Sequence, residues 1–313
     1  MAATTAATAQ RQAAAPAGGD LVYVYAIIEA ASPAVAALAE APPAGLEGAA
    51  VAVVVEGSLA AVYSRLPAAT YDEGPFNEHL RDLAWLAPRA AAHQEVNARL
   101  LALGEALLPL SFGAIFRDLA PVRQLLRAQR ADFQARLDYV RGRAEWVASL
   151  AHDPAQVAAA VERESEPVRA ALAELAHSSP GRAYLLRRRL DDVRRQEIVR
   201  LDGRACSETM ERLEALAVEI VREPAAPADD RAGAMVVRLR ASLLLPRERE
   251  QALLAAAEEL RQRWQPLGYT LQLTGPWPPY RFAGQPPAAG DEPDGAPARS
   301  RSRARGEQRR APG

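Results

Sequence analysis

Apolar residues follow two different periods along this chain, and the changes of period outline its elements. Residues 21–28, "LVYVYAII", form a short unbroken apolar run rich in β-branched and aromatic side chains, which predicts a buried strand. In "SPAVAALAE", Ser32 as N-cap and Pro33 at the first helical position predict a short helix. The runs "AAVAVVVE" and "LAAVYSRL" read as two strands joined by a tight turn at Gly57-Ser58. Leu80, Leu83, Leu86, Ala90, Val96, Leu100 and Leu103 then recur every three or four positions, the stripe of an amphipathic helix. Pro88 is expected to divide or kink that helix, because an interior proline loses a hydrogen bond, and Gly104 to end it. "ALLPLSFGAIF", residues 106–116, predicts another strand, with Pro109 marking a sheet edge or a bulge. The first half therefore reads βαββαβ, an antiparallel sheet with helices on one face, followed by a helix from about Pro121 to Val140.

The second half repeats the plan. "AEWVASLAH" predicts a strand, a long Arg/Glu-rich segment over residues 182–221 a helix, and "AMVVRLRASLLL" a strand. After Pro246 comes the helix "RERE…ELRQRW", then "GYTLQLTGPW" as the last strand. The Pro/Asp/Gly-rich "EPAAPADDRAG" is read as the loop between helix and strand. A second βαββαβ unit of ferredoxin-like type follows, although its second strand has no apolar run of its own. The expected fold class is α+β in two domains with antiparallel sheets and packed helices, ferredoxin-like at least in the C-terminal one. The expected divisions are an arm over 1–19, an N-terminal domain with a connecting helix over 20–142, a C-terminal domain over 143–282 and a tail over 283–313.

Composition narrows the function classes. The 313 residues are 49% hydrophobic and 25% charged with a net charge of -1, so the body lacks the basic excess that nucleic acid or an anionic membrane requires. A single cysteine, Cys206, forms no intramolecular disulfide, and a reducing cytoplasm is the natural setting. The Ala-rich start lacks the basic and Leu/Val-rich parts of a secretory signal. The longest apolar stretch, "AAVAVVVEGSLAAVY", is broken at residues 56–58 and too short to span a bilayer. Residues 283–313 are rich in Pro, Gly, Ala and charge, with six arginines against one glutamate between Arg299 and Arg310, and are expected to remain unordered. Binding of RNA through that tail by a ferredoxin-like regulatory module is the alternative reading of function.

Residues able to cooperate in catalysis are scarce. His79, His93, His152 and His177 have no metal-ligand spacing, and His93 lies on the apolar stripe as a core or interface histidine. No nucleophile elbow, phosphate loop or dinucleotide fingerprint is present, and without any lysine Schiff-base chemistry is excluded. The pairs Asp191-Asp192 and Asp229-Asp230 are read as solvated, and Cys206, near Arg204, as inert. Arg182, Arg187, Arg188, Arg189, Arg194, Arg195 and Arg200, interspersed with Asp191, Asp192, Glu197 and Asp202, are read as a solvent-facing lattice of weak ion pairs. No catalysis, cofactor or metal is expected.

Aromatics, sparse elsewhere, gather in "LTGPWPPYRF", residues 273–282. Gly275 and Pro276 end a strand, and Pro278-Pro279 stiffen the segment that carries Trp277, Tyr280 and Phe282. Together with "LVYVYAII", "AWLAPRAAAHQEVN" and "LLPLSFGAIF", in that order, this motif resembles the gas vesicle protein F/L family over about residues 21–282. One departure is Ser111, where the family often has a basic residue. The resemblance implies two α+β domains and a non-enzymatic role in building the gas-filled flotation organelle, in contact with its small hydrophobic shell protein and other accessory proteins. The candidate partner-binding or interdomain residues are Trp277, Pro278, Pro279, Tyr280 and Phe282, with Pro109, Phe112 and Gly113 in the "LLPLSFGAIF" motif and His93 on the long helix.

Overall fold

Strand β1 (Asp20–Glu29) is buried from Leu21 to Ile28 because apolar layers cover both of its faces. The computed structural model describes residues 19–224 and 234–284, which divide into one unit of residues 19–145 with 276–284 and another of 146–224 with 234–275. In the first unit β1 pairs antiparallel with β3 (Leu59–Pro67), β4 (Leu107–Pro109) and β5 (Ile115–Phe116), and β3 pairs with β2 (Ala52–Glu56), giving the order β2-β3-β1-β4. A register shift between Val24 and Ala26 inserts Tyr25 as a bulge. The bulge reverses the alternation, so Tyr23, Tyr25, Ala26 and Ile28 share one core while Val22, Val24 and Ile27 share the other.

Helices α1 (Pro33–Glu40) and α4 (Leu83–Ala102), with the short α2 (Ala68–Tyr71) and α3 (Glu73–His79), cover the tyrosine face. Helices α5 (Leu119–Ala128) and α6 (Arg130–Val140) cover the valine face. The expectation of helices on one face is therefore corrected: an all-apolar strand such as β1 is stable only with both sides covered. Ser32 accepts the Ala34 N–H at 3.0 Å as the expected N-cap. The turn at Gly57-Ser58 joins Glu56 to Leu59, with Gly57 at a φ of 63°.

In the first unit three element boundaries differ from expectation. Pro88 lies within continuous α4, where its missing N–H costs one bond near the helix start, and the break falls earlier, at 80–82. Leu80 in that break, and Leu83 and Leu103 at the two helix ends, are exposed members of the expected stripe. The run at 106–116 is two short strands, because the chain turns through 110–114 with Gly113 at a φ of 89°. The connecting helix is divided at Gln129.

The second unit contains β6 (Arg143–His152), α7 (Pro154–Glu164), α8 (Glu166–Ala176), α9 (Pro180–Glu214), β7 (Glu219–Arg222), β8 (Val236–Pro246), α10 (Glu250–Trp264) and β9 (Tyr269–Trp277). Its sheet order, β7-β8-β6-β9, repeats that of the first unit. The strand without an apolar run is β7, four residues that pair with β8 from Glu219 opposite Leu244 to Arg222 opposite Ala241. The helix expected to reach residue 221 therefore stops at Glu214. The expected loop at 223–233 lies between two strands, and its residues 225–233 fall outside the described residues, as do Asp229-Asp230, residues 1–18 of the expected arm and the tail from 285. The core joins Trp146 and Leu150 of β6, Leu213 of α9, Leu243 of β8, Trp264 of α10 and Tyr269 of β9.

Candidate functional site

Residues 276–284, a proline-rich hook that starts with the last two residues of β9, pack as part of the first unit. Sequence reasoning assigned Pro276 to Phe282 to the C-terminal domain because they continue its last strand without a break. Pro278 and Pro279 are buried, Phe282 is buried, and Ala283 joins the core on the valine face of the sheet. Tyr280 meets the tyrosine face instead, so the segment passes from one face of the sheet to the other. Arg281 donates its backbone N–H to Glu145 Oε2 at 2.9 Å, and Arg136 Nη1 donates to the Ala283 carbonyl at 3.4 Å. Trp277 and Tyr280 remain 39% and 36% exposed. The stiff, proline-built backbone is held by the unit, with Trp277 facing outward and the partly exposed Tyr280 turned toward His93 and Asn97.

Tyr280 reaches a buried polar cluster. Its Oη accepts from Asn97 Nδ2 at 2.8 Å, and the same Nδ2 lies 3.1 Å from His93 Nε2. His93 Nδ1 lies 2.8 Å from Tyr23 Oη, which also accepts the Gly113 N–H at 3.3 Å. Helix α4 places His93 and Asn97 one turn apart on its inner face, which points both at β1. Phe112 packs edge-on to Tyr23 and to His93, and stacks with Phe76. Pro109 is buried opposite Ala26 at the end of β4. The structure thus gathers His93, Phe112, Gly113 and Tyr280 around Tyr23, places Pro109 on the neighbouring strand, and leaves Trp277 facing outward.

Burial holds His93 neutral, pushing its pKa down to about 4, and the Leu110 carbonyl opposes that shift only partly. Burial pushes the Tyr23 hydroxyl up strongly and Tyr280 up to about 12. Asn97 Oδ1 is buried with no partner among the described residues. Asn97, Tyr23 and the pair formed by Tyr25 Oη and Ser64 Oγ at 3.0 Å were not singled out from the sequence. The available signal was a polar residue one turn from His93, on the same helical face as Val96 and Leu100.

A second buried cluster lies in the other unit. Asp202 of α9 accepts from Tyr269 Oη at 2.8 Å, and its carboxylate lies 2.8 Å from His152 Nδ1 and 3.0 Å from Arg238 Nε. Burial pushes the Asp202 carboxyl up, but the hydrogen bonds from His152 and Tyr269 and the nearby charges outweigh it, and the net shift is downward. Asp202, expected on the solvated lattice, is instead a buried tie between helix and sheet. Arg194, paired with Glu162, and Glu197, which accepts from Ser165, are half-buried, and the other members of the lattice are exposed as read: Arg182 pairs with Glu174 and Arg195 with Asp192. Burial, and then Asp202, raise the Cys206 thiol, the opposite of activation.

Among the described residues, no three or more His, Cys, Asp or Glu side chains gather as a metal site. No described helix is long and apolar enough to cross a membrane. Two open depressions of about 740 and 560 Å³ lie on α5 and α6 around Arg127 and Ala128, and neither is lined by a candidate residue.

The family model described as "Gas vesicle synthesis protein GvpL/GvpF" matches residues 21–284, from β1 to the end of the hook. The chain belongs to this family. It is 34% identical over 234 residues to gas vesicle protein L of Streptomyces sp. (strain CB03234), covering 73% of this chain and 81% of that protein. The fold is similar to crystal structures of the gas vesicle protein GvpF from Anabaena sp. PCC7120, with a TM-score of 0.62 over 85% of this chain and 98% of that one, and from Microcystis aeruginosa, with a TM-score of 0.58 over 85% and 99%. Both are 17% identical to this chain, a level at which the likeness speaks for the fold alone.

Proposed function

We propose that this protein is a non-catalytic factor of gas vesicle assembly that holds the small hydrophobic shell protein, together with other accessory proteins, in the cytoplasm at the growing vesicle. The observation that carries the reading is the family match, which spans both units and the hook. A subunit that polymerises into a gas-tight wall carries an apolar face, and before assembly that face needs cover against nonspecific aggregation. The exposed ring of Trp277, on a backbone stiffened by Pro278 and Pro279, is suited to providing such cover, because a rigid aromatic anchor loses little entropy on binding.

Co-expression with the shell protein followed by pull-down tests the reading. A complex is expected, and Trp277→Ala should lower its recovery several-fold while moving the melting temperature less than Phe282→Ala does. Absence of any complex with shell or accessory proteins, together with intact flotation after gene deletion, would overturn it.

A further inference from the structure

Among the described residues, five strands border the two sheets, and of these β5, with two residues, β2, β4 and β7 are blunted. At β2, Arg123 Nη1 donates to the Val55 carbonyl at 2.6 Å, while Arg123 and Arg127 both pair with Glu56. Strand β4 is three residues long and ends in Pro109. Strand β7 has four residues and a charged side chain at each end. Short length, charge and proline are the usual guards against edge-to-edge pairing. Strand β9 differs in its length and its own side chains, although one arginine, Arg261, also reaches it. It is nine residues long, its one sheet neighbour among the described residues is β6, and it has no charged side chain. Thr270, Gln272 and Thr274 are exposed along it.

The sequence of that edge is its own reverse: residues 270–274 read Thr-Leu-Gln-Leu-Thr. We propose that β9 is a self-association surface, on which two copies of this chain pair antiparallel about a two-fold axis through Gln272. In this register Thr270 faces the partner's Thr274, Leu271 faces the partner's Leu273, and Gln272 faces the partner's Gln272. Tyr269 faces the partner's Gly275, a large ring beside a residue with no side chain. Facing residues share odd or even number, so whichever alternate set of backbone groups turns away from β6, the two copies present matching sets. Arg261 Nε donates to the Leu271 carbonyl at 3.0 Å, and that oxygen keeps a second lone pair for a ladder bond. Such an interface is isologous and closes as a dimer. A single strand pair buries little area, so the dimer is of the weak, concentration-dependent kind. The inference is independent of the assembly role.

Sedimentation velocity of the full chain over a wide concentration range tests it. A monomer–dimer equilibrium is expected. Gln272→Lys and Gln272→Glu each set like charges face to face at the axis and should raise the dimer dissociation constant about fivefold, while their equimolar mixture should restore association. Circular dichroism and melting confirm that the variants fold. In a Cys206→Ser background, Gln272→Cys should cross-link to itself on oxidation and Thr270→Cys should not, because the two-fold axis sets Thr270 against the partner's Thr274. A chain that stays monomeric, a dimer indifferent to both charges, or the reverse cross-linking pattern would each overturn the proposal. So would a chain monomeric alone whose capture of the shell protein is lost in Gln272→Lys, since the edge would then serve a different strand.

Discussion

His93 shows how far one side chain's role depends on what surrounds it. From the sequence it is a histidine on an apolar stripe; in the fold it is a neutral ring between Tyr23 and Asn97. The folded protein keeps it unprotonated down to about pH 4, whereas the unfolded chain takes up that proton near 6.5. Between those values the unfolded state binds more protons, so stability should fall as pH drops through the window, by on the order of 3 kcal/mol in all, and this contribution should level off below it. Urea midpoints measured across that range check it, and His93→Gln should flatten the dependence. Tyr280→Phe leaves Asn97 without its hydroxyl partner and should cost about 1 kcal/mol by the same measurement. The Asp202 carboxylate, held below its ordinary value, contributes stability above about pH 3.8 that is lost as it protonates in more acid solution. Asp202→Ala, which strands His152, Tyr269 and Arg238, should cost about 3 kcal/mol at neutral pH in a denaturant melt.

At the scale of elements, what was legible followed from how strongly local chemistry commits the backbone. The cap at Ser32, the turn at Gly57-Ser58 and the all-apolar β1 were readable because each is decided within a few residues. The break at 110–114 was missed because the apolar run continues through it; Gly113 alone carried a signal, and it was read as part of a strand. That glycine has a φ of 89°, and a Cβ there would meet the Phe76 ring at 3.0 Å. Gly113→Ala should therefore cost about 1–3 kcal/mol in a thermal melt, and Phe76→Leu should relieve part of it if the ring contact contributes. Strand β7 was invisible for another reason. Four residues following a helix of 35 have no period of their own, and only pairing with β8 makes them a strand.

At the scale of the molecule, two units share one strand order, and the closing segment joins the first although it continues the last strand of the second. Phe282→Ala should cost about 3–5 kcal/mol by loosening that segment, measured as the loss in unfolding free energy. The sequence by itself determined the α+β class and most of the strand and helix order of both halves, β7 apart, because hydrophobic period, caps and proline act locally. Only the tertiary structure decided that helices cover both faces of the first sheet, that Asp202 is buried, and which unit holds the hook. Those outcomes depend on contacts between residues far apart in the chain, such as the hydrogen bond from Asn97 to Tyr280, whose partner no local period can specify.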